Sequence, residues 1–189
     1  MKKLLCLLLA VTMLMGSLFI LSACDEKDKD KDKDEESSVE PPAVPANYTL
    51  FENDYIYFVY PSAWEKREMS GIPVFLEAAT GNNITVAYEP KSDVYSTMDL
   101  DGYNTILKPT FQAQGMTVSN VKISQVKNSA GFEITKIEHK AVMSGNTMNQ
   151  VLFVIPAGSY NYVVSITQGI GKENSGLVDA VFESLTARK

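Results

Sequence analysis

Cysteine is almost missing from this chain: there are two in 189 residues, Cys6 and Cys24, and none after position 24. No disulfide can staple the remainder, and no thiolate is available there as nucleophile or metal ligand. Histidine is scarcer still, with His139 alone, so a histidine-rich metal site is excluded. Neither a Gly-x-Ser-x-Gly elbow nor a His-Glu-x-x-His pair occurs anywhere. Clustered positive charge is lacking too. Residues 47–189 carry fourteen acids against eleven bases, which gives no electrostatic footprint for a phosphate backbone and excludes nucleic acid as a partner. After residue 23 no apolar run is long enough to cross a bilayer.

What is present begins with an address. Lys2 and Lys3 precede an apolar run from Leu4 to Ile20, and Leu21-Ser22-Ala23-Cys24 follows. That tetrapeptide resembles the bacterial lipobox, in which a signal peptidase cuts before a cysteine that carries diacylglycerol. Residues 1–23 are therefore expected to be a lipoprotein signal peptide, and Cys24 the lipidated residue. The expected location is the extracytoplasmic side of the cell membrane, held there by lipid. Residues 25–36 nearly alternate in charge with nothing apolar to bury, and prolines stand at 41, 42 and 45. Residues 24–46 thus read as lipidated Cys24 plus a disordered, charged and Pro-rich tether with a reach of roughly 25 Å.

Residues 47–189 carry the periodicities of one folded domain. Tyr55 to Tyr60 is apolar on both parities, as in a strand covered on both faces and ended by Pro61. Val74–Ala78 and Ile84–Tyr88 flank Thr80-Gly81-Asn82-Asn83, a hairpin signal. The period then changes to that of a helix with Leu100, Tyr103, Leu107 and Phe111 on one face. Ser96 or Thr97 is its expected N-cap, Gly115 its stop, and Pro109 is expected to kink it or end its regular part near Leu107. Strands at about 117–127, 131–143, 148–156 and 160–168 predict an antiparallel meander. A last helix carries Leu177, Val178, Val181, Phe182 and Leu185. The expected class is α+β, an antiparallel β-sheet with a helix on each face.

Several of these segments also resemble a known family. Tyr60-Pro61-Ser62-Ala63-Trp64 after the opening strand, Asn83-Ile84-Thr85-Val86, the late strand from Tyr160 to Thr167, and Phe182-Glu183-Ser184-Leu185 in the closing helix are similar to the PsbP-like fold. The resemblance implies an α/β/α sandwich, shared with a Ran-binding nuclear import factor and several small bacterial lipoproteins. It also implies an adaptor or assembly role more than an enzymatic one. The matching positions are packing and turn positions, so no functional residue is carried across.

The remaining motifs have plain structural explanations. Gly169-Ile170-Gly171-Lys172 lacks the Ser or Thr of a phosphate loop, and Thr97 to Gly102 would place Lys108 where a calcium loop needs its bidentate glutamate. His139 is expected on the surface of a strand, and Glu65 with Glu68 as solvated acids. Tyr57, Tyr60, Tyr88, Tyr162 and Trp64 are assigned to packing, leaving Tyr95 and Tyr103 freer to be exposed. No cofactor or metal is implied. The expected function is a membrane-anchored, non-catalytic binding or assembly module for a protein or small ligand, with Tyr95, Asp99, Asp101 and Tyr103 as the partner-binding face. A hydrolase with a carboxylate or Ser/Lys site and a small-ligand-binding lipoprotein are the alternatives.

Overall fold

The computed structural model describes residues 39–188. The expected signal peptide, Cys24 and the tether up to residue 38 lie outside the described residues. The order is β1 (Tyr48–Glu52), β2 (Ile56–Pro61), β3 (Glu65–Met69), β4 (Ile72–Leu76), β5 (Asn83–Pro90), α1 (Leu100–Ala113), β6 (Thr117–Lys127), β7 (Glu133–Met143), β8 (Asn146–Ala157), β9 (Tyr160–Gly169), α2 (Leu177–Ser184) and β10 (Thr186–Ala187). Seven strands form one antiparallel sheet in the order β3-β4-β5-β9-β8-β7-β6. β1, β2 and β10 form a separate antiparallel sheet with β2 in the centre.

Side-chain alternation divides the large sheet into two apolar faces. On one, Leu152, Val154, Val163, Ile137 and Ala141 pack under Tyr103, Leu107 and Phe111 of α1. On the other, Phe153, Ile155, Val164, Ile166, Ile84 and Val86 meet Leu177 and Val181 of α2 together with Phe51, Ile56 and Phe58 of the small sheet. Burying each of these phenylalanines contributes about 1.5–3 kcal/mol. The helix-on-each-face expectation holds, and the small sheet joins α2 in its layer. Within that layer the Ser184 Oγ of α2 accepts from Val59 N of β2 at 2.9 Å.

Two tight turns fix hairpin register. Ser70-Gly71 and Ser144-Gly145 both have positive φ at both positions, as a two-residue type I′ connection demands. The 80–83 hairpin forms as its sequence predicts, with Val74, Phe75 and Leu76 opposite Thr85, Ile84 and Asn83. β1 and β3 have no counterpart in the sequence-based expectations. β3 reads Glu-Lys-Arg-Glu-Met, fully exposed, because it is an edge strand and edge strands are kept charged.

Helix α1 differs from expectation at its start and middle. Its N-cap is Asp99, whose Oδ1 accepts from Gly102 N at 2.8 Å. Ser96 and Thr97 instead donate their hydroxyls to the Asp93 carbonyl, closing a turn one step upstream. Their hydroxyl hydrogens find that carbonyl, whereas a carboxylate can only accept and so suits the unpaired N–H groups of the first turn. The helix continues through Pro109 to Ala113, because burial of Thr110 and Phe111 on the sheet outweighs the hydrogen bond that proline cannot donate. It stops as expected at Gly115, at φ 76°, where Gly115 N donates to Gln112 O and Met116 N to Phe111 O. These two bonds make a Schellman motif, with Met116 packed in the same cluster as Phe111.

Candidate functional site

The segment between β5 and α1 has no regular structure, yet it is tied down along its length. Lys91 N donates to Ser159 O at 2.9 Å, and Asn161 Nδ2 donates to Ser92 O at 2.9 Å. Further on, the Tyr95 carbonyl accepts from Gln125 Nε2 at 2.9 Å and lies 3.0 Å from the Thr135 hydroxyl. That hydroxyl is also 2.9 Å from Gln125 Oε1, so its single hydrogen serves two acceptors in turn. Between this strapped segment and the ends of β6, β7 and β8 runs an open groove of about 410 Å3. Lys91, Asp93, Lys127 and Glu133 bring charges of both signs to it, and Val154 and Pro156 give it an apolar strip.

Beneath the groove the chemistry changes. The Tyr95 ring turns inward, is 5% exposed, and packs with Met98 and Leu107. Its hydroxyl bonds to Glu89, a carboxyl group only 3% exposed in β5. Burial raises the Glu89 pKa above the ordinary carboxylate value, and the Tyr95 hydrogen bond opposes that rise in part. Burial, then the neighbouring Glu89 charge, drives the Tyr95 phenol upward. Glu89 Oε1 has no protein partner. A small cavity of about 20 Å3 lies against it, lined by Ala87, Tyr95, Leu107, Leu152, Val154 and Val163, with room for about one water.

A second buried polar chain runs across the sheet under α1. His139, 4% exposed, lies with Nε2 2.8 Å from Gln150 Oε1 and Nδ1 3.4 Å from the Tyr103 hydroxyl. Gln150 Nε2 in turn donates toward Ser165 Oγ and Thr167 Oγ1, both at 3.2 Å. Since the Gln150 nitrogen is engaged as donor, its oxygen accepts from His139 Nε2–H, which leaves Nδ1 to accept from Tyr103. Burial lowers the His139 pKa, so the imidazole is held neutral and works as a cross-brace between α1, β7, β8 and β9. The surface position expected for it is therefore corrected. His139 shares the parity of Ile137 and Ala141, and Gln150 that of Met148 and Leu152, and this shared parity was the signal for an inward face.

The four residues expected to form a partner-binding face do not present themselves together. Tyr95 and Tyr103 are buried, Tyr103 at 0% exposure, and neither offers a ring to the surface. The expectation of exposure fails because Tyr103 lies one helical turn before Leu107 on the apolar stripe and Tyr95 seals the core beside it. Asp99 and Asp101 are exposed in the first turn of α1, Asp99 as its cap. What this region does offer outward is the groove walled by residues 91–96. Tyr88 is corrected in the opposite sense: expected in packing, it is 49% exposed near the end of β5, on the face that carries Ile84 and Val86. Gly169 to Lys172 is a turn pinned by Asn82, whose Nδ2 donates to Lys172 O at 2.7 Å and whose Oδ1 accepts from Gly169 N at 3.0 Å. Among the described residues, no three His, Cys, Asp or Glu side chains gather as a metal set, and no helix is long and apolar enough to cross a membrane.

This fold, a seven-stranded antiparallel sheet covered on each face, has a counterpart among solved structures. Cyanobacterial PsbP from Synechocystis sp. PCC 6803, determined in solution, superposes with a TM-score of 0.57 at 15% identity, covering 80% of this chain and 98% of that one. The chain has a PsbP-like fold. Other solved structures align less closely. A protein from Bacteroides thetaiotaomicron VPI-5482 gives a TM-score of 0.46 at 14% identity over 71% of this chain and 45% of its own. LpqN, described as involved in cell envelope biogenesis of Mycobacterium tuberculosis, gives 0.38 at 16% identity over 82% and 86%. No protein-family model matches the sequence, and no curated protein matches it either.

Proposed function

We propose that the protein is a lipid-anchored extracytoplasmic binding module, held to the membrane through Cys24, that receives a segment of a partner protein in the groove beside α1 without chemical turnover. The observation that carries this proposal is the construction of the groove. Its walls are fixed by backbone and side-chain hydrogen bonds at Lys91, Ser92 and Tyr95, so it is preorganised and little ordering is required on binding. Its exposed charges, Lys91 and Lys127 against Asp93 and Glu133, select a partner by complementary pattern more than by bulk affinity. Glu89, Tyr95, Tyr103 and His139, whose ionisation burial shifts, are sealed below this surface and engaged in holding the layers together.

The test uses the full chain in its native envelope, with a photoreactive residue placed at Ser96, at Lys127, or at Ser70 on the distant β3–β4 turn. An adduct of one defined mass from Ser96 and Lys127 but not from Ser70 is expected, and it should be lost when Lys91 and Lys127 are both changed to Glu. Equal labelling from Ser70, or an adduct indifferent to the charge reversal, overturns the groove assignment. In parallel, mass spectrometry of the membrane fraction should show diacylglycerol on Cys24 as the mature N-terminus; a Cys24→Ala protein that stays both processed and anchored would overturn the anchor.

A further inference from the structure

One carboxyl group of the large sheet stands among apolar side chains. Glu89 extends from β5 on the face beneath α1, opposite Asn161 of β9 in register, and is 3% exposed. The cavity of about 20 Å3 against it is walled by Ala87 of its own strand, Leu107 of α1, Leu152 and Val154 of β8, Val163 of β9, and Tyr95. Tyr95 and Val154 also border the groove, so these two side chains form the partition between groove and cavity. Tyr95 is fastened on both sides. Inward, its hydroxyl bonds to Glu89, whose Oε1 has no protein partner. Outward, its carbonyl accepts from Gln125 Nε2 at 2.9 Å, from the Thr135 hydroxyl at 3.0 Å and from Met98 N at 3.2 Å. The other titratable groups nearby are turned elsewhere. Tyr103 of α1 and His139 of β7 meet one another at 3.4 Å, Asp101 and Lys108 of α1 do not line the cavity, and Lys91 and Asp93 line the groove on the outer side of the strap.

We propose that Glu89 is a protonation-controlled latch on the groove: as a neutral acid it holds Tyr95 and the 91–98 segment down on the sheet, and as a carboxylate it loosens them. This rests on the reading of the groove as the binding site and adds how that site is regulated. A neutral carboxyl group suits the place, since one oxygen accepts from the Tyr95 hydroxyl and the O–H needs a single acceptor, which one water in the cavity supplies. A carboxylate does not. It needs several hydrogen bonds to replace its hydration, and it meets one phenol, room for about one water and five apolar side chains. Burial is the larger influence and raises its pKa, and the Tyr95 bond offsets that rise only in part. Further water has one way in. Ala87, Leu152, Val154 and Val163 belong to hydrogen-bonded strands and Leu107 to α1, whereas Tyr95 belongs to an irregular segment held by a few bonds. Ionisation therefore acts on the wall that can move, and that wall also orders the groove.

The latch is read by amide hydrogen exchange of the full chain in detergent at pH 5 and pH 8, each rate divided by that of an unstructured chain at the same pH. Protection of residues 91–98 should be lower at pH 8, by about tenfold for each unit by which the latched carboxyl is harder to ionise than the released one. Amides of β8 and β9 should stay better protected than this segment at both pH values, which separates local release from unfolding. Glu89→Gln should keep the segment as protected at pH 8 as at pH 5. His139 cannot produce this result, because its brace strengthens as pH rises. Equal protection of the natural chain at both pH values overturns the latch, whether or not the variant folds, and so does a pH 8 loss that persists in Glu89→Gln. The groove is tested apart from the latch: the photoadduct from position 127 should form in higher yield at pH 5 than at pH 8 in the natural background, and equally at both in Glu89→Gln. No adduct at either pH counts against the groove as the binding site and leaves the exchange result to decide the latch; equal yields from a strap that does open overturn its control of binding.

Discussion

Glu89 places an ionisable oxygen without a protein partner inside the apolar layer under α1, where a charge is poorly tolerated. Because burial raises its pKa above the unfolded value of 4.5, the folded chain binds this proton more tightly than the unfolded chain does. Its contribution is therefore present below pH 4.5 and is lost as pH rises through the folded value. Glu89→Gln keeps the shape and an acceptor for the Tyr95 hydroxyl while removing the charge. Its thermal midpoint should exceed that of the natural chain at pH 8, with the difference shrinking as pH falls toward 4.5; a lower midpoint at pH 8 would show that the carboxylate is needed. His139 behaves with the opposite sign. Its pKa lies below the unfolded 6.5, so its neutral brace to Gln150 and Tyr103 stabilises above pH 6.5 and weakens as pH falls through its folded value.

At the scale of the element, the ends of α1 are set by specific side chains. Asp99 accepts from Gly102 N at one end, and Gly115 adopts φ 76° at the other. Replacing Asp99 by Ala should cost about 1 kcal/mol. A domain of this size should then show a drop of about 2–4 °C in thermal midpoint, measurable by calorimetry. α2 is finished from outside instead: Asn128 Nδ2, in the β6–β7 turn, donates to Leu185 O at 2.7 Å and to Phe182 O at 3.2 Å. Both outer strands of the large sheet are blunted. β3 carries four consecutive charges, Glu65 to Glu68, and β6 breaks register between Ser119 and Lys122, with Asn120 at φ 56°. Helix stripes and strand alternation were legible because burial imposes a period on the sequence. β3 and β1 were not, since an exposed edge imposes none and a five-residue strand leaves little period to see. The N-cap was missed because Ser96, Thr97 and Asp99 are all good acceptors, and only the turn made by the first two decides among them.

Among the described residues the layers are joined by packing and hydrogen bonds, and none of these residues is a cysteine. The thermal midpoint of the full chain should accordingly be the same with and without dithiothreitol, and a shift of several degrees would mean that a covalent link had been overlooked. The sandwich was legible from Val151–Ile155, whose two sets of side chains enter the two cores, whereas Tyr55–Tyr60, equally apolar on both parities, lies outside the large sheet in the small one. The groove was not, because it depends on where an irregular segment is strapped to strands 30 and 69 residues away in sequence. The small sheet carries such separation furthest: the early strand β2 takes the late strand β10 as its neighbour, and Val59 is bonded to Ser184, 125 residues downstream. For a polypeptide delivered amino-end first, by a ribosome or through an export pore, this stitch cannot be tied until nearly all of the domain has emerged. Until then Ile56, Phe58 and their partners lack part of their cover, so the fold locks only when β10 arrives.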